Sequence, residues 1–258
     1  MKISLIDKNK AKSTYLISGA SPAYVNTLRR IFGFEVPTMA ISSVNFKQNS
    51  SALYDEIVAH RLGLVVLKTD LSSYNIPKKD APEGPATHCT FSLKAIGPKT
   101  VYASDLKSSD SAIKPVHPDT IIVKLLENQE IEFVATAHLG FGNVHSKWSP
   151  GLVSYYYSPV IKVNNKAPSF KDSKSKFPKV IFNAKGEIDV KKINTPGLID
   201  ACRDVDEEVL SITYKDPQSE FVFTIEPWGQ LPVEVIVEEG IKQFNSYVDE
   251  FKKLLKEV

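Results

Sequence analysis

Apolar residues near the end of the chain recur at alternating steps of four and three positions. The seven residues of this C-terminal seam are Val237, Ile241, Phe244, Val248, Phe251, Leu255 and Val258. Such a heptad pattern is typical of an amphipathic helix with one narrow apolar stripe. Asp249 and Glu250 precede Lys253 at spacings that bring opposite charges together on a helix. The pattern therefore predicts a long C-terminal helix after Pro232, with a seam buried by the chain's own sheet or by another subunit.

A shorter helix is predicted near the N-terminus. Ser21 suits its N-cap, Pro22 suits its first position, and Gly33 is a reasonable end. At helical spacing, the apolar side consists of Val25, Leu28 and Phe32, and the polar side of Asn26, Arg29 and Arg30. Paired arginines can bind the carboxylates of a partner through forked hydrogen bonds. Spacing alone nevertheless favours a solvated face, because charged helix faces are common.

The rest of the pattern predicts one more helix and many strands. The helix is predicted over SSALYDEIVAHRLG, with Ser50 or Ser51 as its N-cap and with His60 and Arg61 in its last turn, as the helix dipole prefers. Strands are predicted in the hairpin MKISLIDKNKAKSTYLIS and in HCTFSLKAIG, EIEFVATAHLG, LVSYYYSPVIKV and SEFVFTIEPWG. KKDAPEGPATH and APSFKDSKSKFPK have the composition of loops. The pattern as a whole predicts an α+β protein.

Composition excludes several classes of protein. The 258 residues are 42% hydrophobic and 24% charged, which is ordinary for a globular protein. A formal net charge of +2 is too small for a protein whose main role is to coat phosphates. No apolar run approaches the length needed to span a bilayer, and the N-terminus does not have the pattern of a signal peptide. With only two cysteines, Cys89 and Cys202, we expect no disulfide framework and a reducing cytoplasm.

The chain lacks the common motifs of catalysis and metal binding. It has no GxSxG elbow, no HExxH pair and no phosphate-binding glycine loop, so enzymatic function is not expected. His138 and His145 have no carboxylate or cysteine at ligand spacing. A ferredoxin-type run ending at Cys202 would place cysteines at positions 198, 195 and 192, which hold leucine, threonine and lysine. We therefore predict no iron–sulfur cluster there and a small buried thiol at Cys202.

Four segments, in order along the chain, carry a resemblance to a known family. They are NTLRRI…VPTMAI, LYDEIVAHRLGLVVL, GNVHSKWSP and FVFTIEPWGQLPVEVIVEEGIKQF. Together they resemble the D-type subunit of archaeal RNA polymerase, which is related to the N-terminal domain of the bacterial alpha subunit and to the third-largest subunit of eukaryotic RNA polymerase II. The matching segments are spread over nearly the whole chain, which makes the resemblance more specific than a single short motif.

The resemblance implies a domain organisation. A discontinuous dimerisation domain, made of a sheet, helices and the long C-terminal helix, would join residues 1–46, 152–165 and 218–258. A mostly β insertion domain would fill 47–151. Residues 166–217 would form a reduced, metal-free ferredoxin-like unit, because at best Cys202 remains of four cluster ligands. The zinc-loop cysteines of eukaryotic relatives are also missing, since only Cys89 stands near KKDAPEGPATHCTF.

The resemblance also implies a function in assembly without catalysis. In this family the chain pairs with the small subunit L, and with subunits N and P the pair forms a platform for the large catalytic subunits. The C-terminal seam and the apolar side of the N-terminal helix would form the pairing interface. The resemblance places Asn26, Arg29, Arg30, His60 and Arg61 in regions that face the large subunits, with DNA reached only through the complex.

One alternative stays open from the residues alone. A stand-alone regulatory protein could bind nucleic acid through Arg29, Arg30 and the lysine-rich segment APSFKDSKSKFPK. Such binding would be strongly salt-dependent, because it would release counterions from several phosphates. The nearly neutral net charge argues against this alternative.

Overall fold

The computed structural model describes residues 1–9, 11–77, 84–214 and 219–256. Position 258 of the C-terminal seam and residues 78–83 of the predicted loop lie outside the described residues. The helices are α1 (Pro22–Phe34), α2 (Asp55–Gly63), α3 (Phe170–Ser173), α4 (Pro196–Cys202) and α5 (Val233–Leu254). The strands are β1 (Lys2–Lys8), β2 (Ser13–Ser18), β3 (Thr38–Asn49), β4 (His88–Ile96), β5 (Lys99–Tyr102), β6 (Lys107–Ser108), β7 (Ile121–Leu125), β8 (Glu130–Gly140), β9 (Gly151–Tyr157), β10 (Pro159–Val163), β11 (Leu210–Tyr214) and β12 (Glu220–Pro227). The predicted α+β class and the long C-terminal helix are confirmed.

The chain divides into two compact units, of which the first consists of Met1–Lys8, Thr14–Asn26 and Ser154–Thr224. It carries a four-stranded sheet in the order β1-β2-β12-β9, in which the predicted N-terminal hairpin is present as neighbouring strands. It also carries the antiparallel pair β10 and β11. The first unit has its own apolar core, whose buried members are Ala167, Phe177, Ile181, Ile188, Ile193, Ile199, Cys202, Val209 and Leu210.

The second unit consists of Asn9–Ser13, Thr27–Val153 and Ile225–Val258. Its four-stranded sheet has the order β3-β8-β4-β6, and β5 and β7 form a separate pair. Alternate residues of β8 point into the core, as the two-residue period of a strand requires. These buried residues are Ile131, Phe133, Ala135, Ala137 and Leu139. The sheet fixes the positions of the loops that surround the candidate site.

Three predicted elements differ from the observed ones, and the first is APSFKDSKSKFPK, which was predicted as a loop and contains the short helix α3. Helix α2 begins at Asp55 after Tyr54, with no side-chain cap, so the predicted caps at Ser50 and Ser51 are wrong. The Ser51 hydroxyl donates instead to Oδ1 of Asn49 at 2.7 Å. The predicted strand LVSYYYSPVIKV is two strands, β9 and β10, in different sheets. They separate at Pro159, which has no N–H to donate to a continuing ladder.

Candidate functional site

Helix α5 has favourable ends and a glycine where it packs closely. Pro232 stands at its N-cap, Glu234 lies in its first turn, and lysines lie in its last turn, which suits the helix dipole. Gly240 is buried. A Cβ at this position would lie against Cδ1 of Phe32 and 2.8 Å from Cε1 of the same ring. The glycine therefore permits close contact between α5 and the end of α1.

The chain itself buries only one face of α5. Val233, Ile236 and Gly240 are the buried residues of the described part of this helix. At about 100° per residue, the C-terminal seam is centred about 60° around the helix from these three residues. The seam is consequently a different face from the one that packs against α1.

Most of the C-terminal seam is open to solvent. Ile241 and Val248 are each 36% exposed, Phe251 is 61% exposed and Leu255 is 60% exposed. Val237 and Phe244 are half-buried. Leu254, which does not belong to the heptad pattern, is 54% exposed and adds to the apolar surface. Exposed apolar patches of this kind are typical of sites that contact other proteins, membranes or ligands.

The apolar side of α1 does not contribute to this open surface. Val25, Leu28 and Phe32 are buried by the chain itself. Buried side chains leave little free surface for a second protein, and the assignment of these three residues to the pairing interface stays a prediction. Helical spacing identifies an apolar face but does not tell which neighbour covers it.

The polar residues of α1 are more accessible than its apolar ones. Asn26 and Arg29 are half-buried and Arg30 is exposed. Ser21 caps the helix, since its Oγ accepts a hydrogen bond from the amide of Tyr24 at 3.3 Å. The predicted start of α1 is confirmed, and the arginines lie in its last two turns.

A small cleft beside α2 collects several basic side chains. It has a volume of about 240 Å³ and is lined by Ile41, Ser42, Ser43, Val44, Ala59, His60, Gly63, Leu64, His145 and Lys147. Burial lowers the pKa of Lys147, whose Nζ donates to the carbonyl of Ile41 at 3.0 Å. The same ammonium lies 4.3 Å from the centre of the Trp148 ring. Arg61 is held at a different place, where its guanidinium donates to the carbonyl of Ile121 at 2.8 Å.

The segment GNVHSKWSP, residues 142–150, is anchored by hydrogen bonds. Trp148 is buried, and its Nε1 donates to the carbonyl of His138 at 3.1 Å. Thr38 Oγ1 donates to the carbonyl of Trp148 at 2.7 Å. Ser149 Oγ donates to the carbonyl of Gly33 at 2.8 Å. These bonds fix the loop that presents His145 and Lys147 to the cleft.

One group of polar side chains was missed by the sequence reasoning. Glu35 accepts hydrogen bonds from Asn143 and from Tyr247, which are far apart in the chain. No spacing pattern connects three such residues, since each is an ordinary polar or aromatic residue in its own segment. A tyrosine among the exposed residues of an amphipathic helix was the only available signal.

The two cysteines, Cys89 and Cys202, lie in two different apolar cores. Both are buried and free. Burial raises the pKa of the Cys202 thiol, which belongs to the apolar core of the first unit. Within the described ranges, no three histidine, cysteine, aspartate or glutamate side chains come together as ligands for a metal ion. None of the described helices is both long and apolar enough to cross a bilayer.

Comparison with known proteins gives the family. Residues 41–153 match the family model of the RNA polymerase Rpb3/RpoA insert domain. The chain is 34% identical to DNA-directed RNA polymerase subunit Rpo3 of Pyrococcus furiosus, with 98% of each protein covered. It is 36% identical to subunit Rpo3 of Thermococcus kodakarensis, covering 98% of this chain and 99% of the relative. It is 30% identical to subunit Rpo3 of Archaeoglobus fulgidus, with 100% of this chain and 98% of the relative covered. The resemblance to the D-type subunit of archaeal RNA polymerase is confirmed, and the chain belongs to the family of DNA-directed RNA polymerase subunit Rpo3.

Proposed function

We propose that this chain is a non-catalytic assembly subunit of DNA-directed RNA polymerase that pairs with the small subunit L. Membership of the Rpo3 family makes it a component of the polymerase. The observation that carries the pairing proposal is the open C-terminal seam, with Phe251 and Leu255 each more than half exposed. An apolar helix face of this kind suits an obligate interface, which resembles a domain core cut in half.

The platform function follows from the same proposal. With subunits N and P, the pair would form the surface on which the large catalytic subunits gather. The cleft beside α2 supports a contact with a large subunit, because His60, His145 and Lys147 line it. Basic side chains in a partly enclosed cleft suit a carboxylate from a partner. The stand-alone nucleic-acid-binding alternative is not favoured.

We propose further that the complex acts in the cytoplasm and that this chain holds no iron–sulfur cluster. Cys202 is buried. Position 195, where a cluster-binding run would have a cysteine, holds Thr195, which serves as the N-cap of α4: its Oγ1 accepts from the amide of Leu198 at 3.3 Å. An apolar core already fills the first unit around Cys202.

Iron measured in the purified chain, prepared without oxygen, should stay well below one atom per molecule. Stoichiometric iron with bound sulfide would contradict this proposal.

The pairing proposal is tested by co-expressing the chain with subunit L of the same organism. A complex with one copy of each chain is expected in native mass spectrometry, since the open seam needs a partner to bury it. The same tagged chain, purified from its source, should bring the other polymerase subunits with it. A chain that stays alone at micromolar concentration in the presence of subunit L would overturn the proposal.

The polar side of α1 gives a separate prediction. Changing Arg29 and Arg30 together to glutamate should leave pairing with subunit L intact but weaken binding of the large subunits by tenfold or more, about 1.4 kcal/mol. The reason is that the two introduced glutamates would repel the partner carboxylates that the arginines are proposed to bind. Pull-down of the large subunits by a reconstituted platform measures the effect, with Lys124→Glu as a charge-reversal control. Loss of pairing with subunit L would instead show that the polar side of α1 faces subunit L.

A further inference from the structure

The carboxylate of Glu35, just after α1, connects three segments of the second unit. Tyr247 of α5 donates its hydroxyl hydrogen to Oε2 of Glu35 at 2.7 Å. Nδ2 of Asn143 lies 3.1 Å from each of the two carboxylate oxygens. Hydrogen bonds to an ionised acceptor are shorter and stronger than those between neutral groups. The three side chains therefore form a compact polar contact between α5, the end of α1 and the loop after β8.

The position of Glu35 is fixed by the backbone around it. The amide of Glu35 donates to the carbonyl of Ile31 at 2.9 Å, so the last turn of α1 carries the carboxylate. The amide of Asn143 donates to the carbonyl of Phe34 at 3.2 Å. Gly142 lets the loop approach closely, because a Cβ there would lie 3.0 Å from the Gly33 carbonyl oxygen. The acceptor for Tyr247 is thus held on a rigid support.

Tyr247 is placed where α5 leaves its buried contacts. It lies two turns beyond Gly240, on the same side of the helix. No residue of α5 after Gly240 is buried in the described part of the chain. Beyond Tyr247, the hydrogen bonds and ion pairs found among the described residues stay within the helix itself. Burial, together with the bond to Glu35, raises the pKa of Tyr247 to about 12, so its hydroxyl remains a donor at neutral pH.

We infer that the Tyr247–Glu35 hydrogen bond is a positioning contact, which holds the end of α5 in the orientation that presents Phe251 and Leu255 to the pairing partner. The inference rests on the proposed pairing with subunit L. Tyr247 is a positioning residue and not itself a contact of the partner. Nothing in the heptad pattern requires a hydrogen bond at position 247, which makes the residue separable from the seam.

Loss of such a contact has a recognisable kinetic signature. Without the bond, the free helix end samples several orientations, and only a fraction of the molecules can pair at any moment. Apparent affinity falls in proportion to that fraction. Once paired, the helix is held by the partner over the whole seam. The association rate should therefore fall, while the dissociation rate changes little.

The test uses the full chain with Tyr247→Phe, which removes only the hydroxyl group. Association with immobilised subunit L should slow by about fivefold to tenfold, with the dissociation rate changed less than twofold. Amides of residues 248–256 in the free chain should exchange faster with deuterium, since the helix end opens more often. Tyr54→Phe, at a tyrosine that is 80% exposed on the N-cap of α2, is the matched control and should change neither quantity.

A double-mutant cycle isolates the bond. Glu35→Ala should slow association at least as much as Tyr247→Phe does, because it also removes the bonds from Asn143. Adding Tyr247→Phe to Glu35→Ala should slow association no further, because the hydroxyl has then already lost its acceptor. Independent effects that multiply would overturn the inference. So would a faster dissociation rate with unchanged association, which identifies Tyr247 as a direct contact. If the wild-type chain does not bind subunit L at all, the proposed pairing itself is wrong. If Tyr247→Phe binds subunit L at the wild-type rate, only the positioning inference is wrong.

Discussion

Replacing Phe251 and Leu255 together by aspartate is expected to abolish pairing with subunit L while the free chain stays folded. Each side chain is about 60% exposed in the free chain and would be buried by the partner. Burying a phenylalanine or leucine side chain contributes about 1.5–3 kcal/mol, and an unpaired buried carboxylate costs several kcal/mol more. Affinity should therefore fall at least about a thousandfold, equivalent to about 4 kcal/mol. Titration calorimetry with subunit L measures the loss.

The same helix offers a matched control for charge. Ser246 is exposed and lies on the side of α5 opposite the C-terminal seam. Ser246→Asp adds a negative charge to the same helix without touching the seam, and should leave affinity within about threefold. Thermal unfolding of the double variant should match that of the wild-type chain, since exposed substitutions usually change stability by less than about 0.5 kcal/mol. Tight pairing by the double variant would show that the partner binds elsewhere.

Gly240→Val is expected to destabilise the free chain by about 3 kcal/mol. A Cβ added at position 240 would meet the ring of Phe32, which is itself buried, and would lie 3.4 Å from Cγ2 of Ile31. Overpacking of a filled core costs about 1–3 kcal/mol, and the loss of glycine's flexibility does not offset it. Chemical denaturation of the isolated chain measures the difference in the free energy of unfolding.

A valine elsewhere in α5 separates packing from helix propensity. Ser246 is exposed in the same helix, so Ser246→Val tests the cost of a β-branched residue without a close neighbour. We expect a change below about 0.5 kcal/mol for that variant. Equal stability of Gly240→Val and the wild-type chain would mean that α5 does not pack against Phe32 as described. Pairing of Gly240→Val should also weaken, because the whole helix would shift.

Several elements of the fold were predictable because local rules decide them. Ser21 and Pro22 start α1 through a cap and a preset backbone angle, which act within one turn. The alternation in EIEFVATAHLG follows the two-residue period of β8, whose inner residues are all buried. The cap of α2 was mispredicted because Asn49 competes for the hydroxyl of Ser51. A serine has several acceptors within reach, and spacing does not rank them.

The sequence by itself determined the α+β class, the long amphipathic helix and the family, since periodicity and ordered motifs are properties of the chain alone. Only the tertiary structure decided which apolar faces are closed: it buries Val25, Leu28 and Phe32 and leaves Phe251 and Leu255 open. It also joined Glu35 to Tyr247 across more than two hundred residues. The physical reason is that burial and hydrogen bonding depend on distances between segments, whereas a helical or strand period records only the side of an element on which a residue lies.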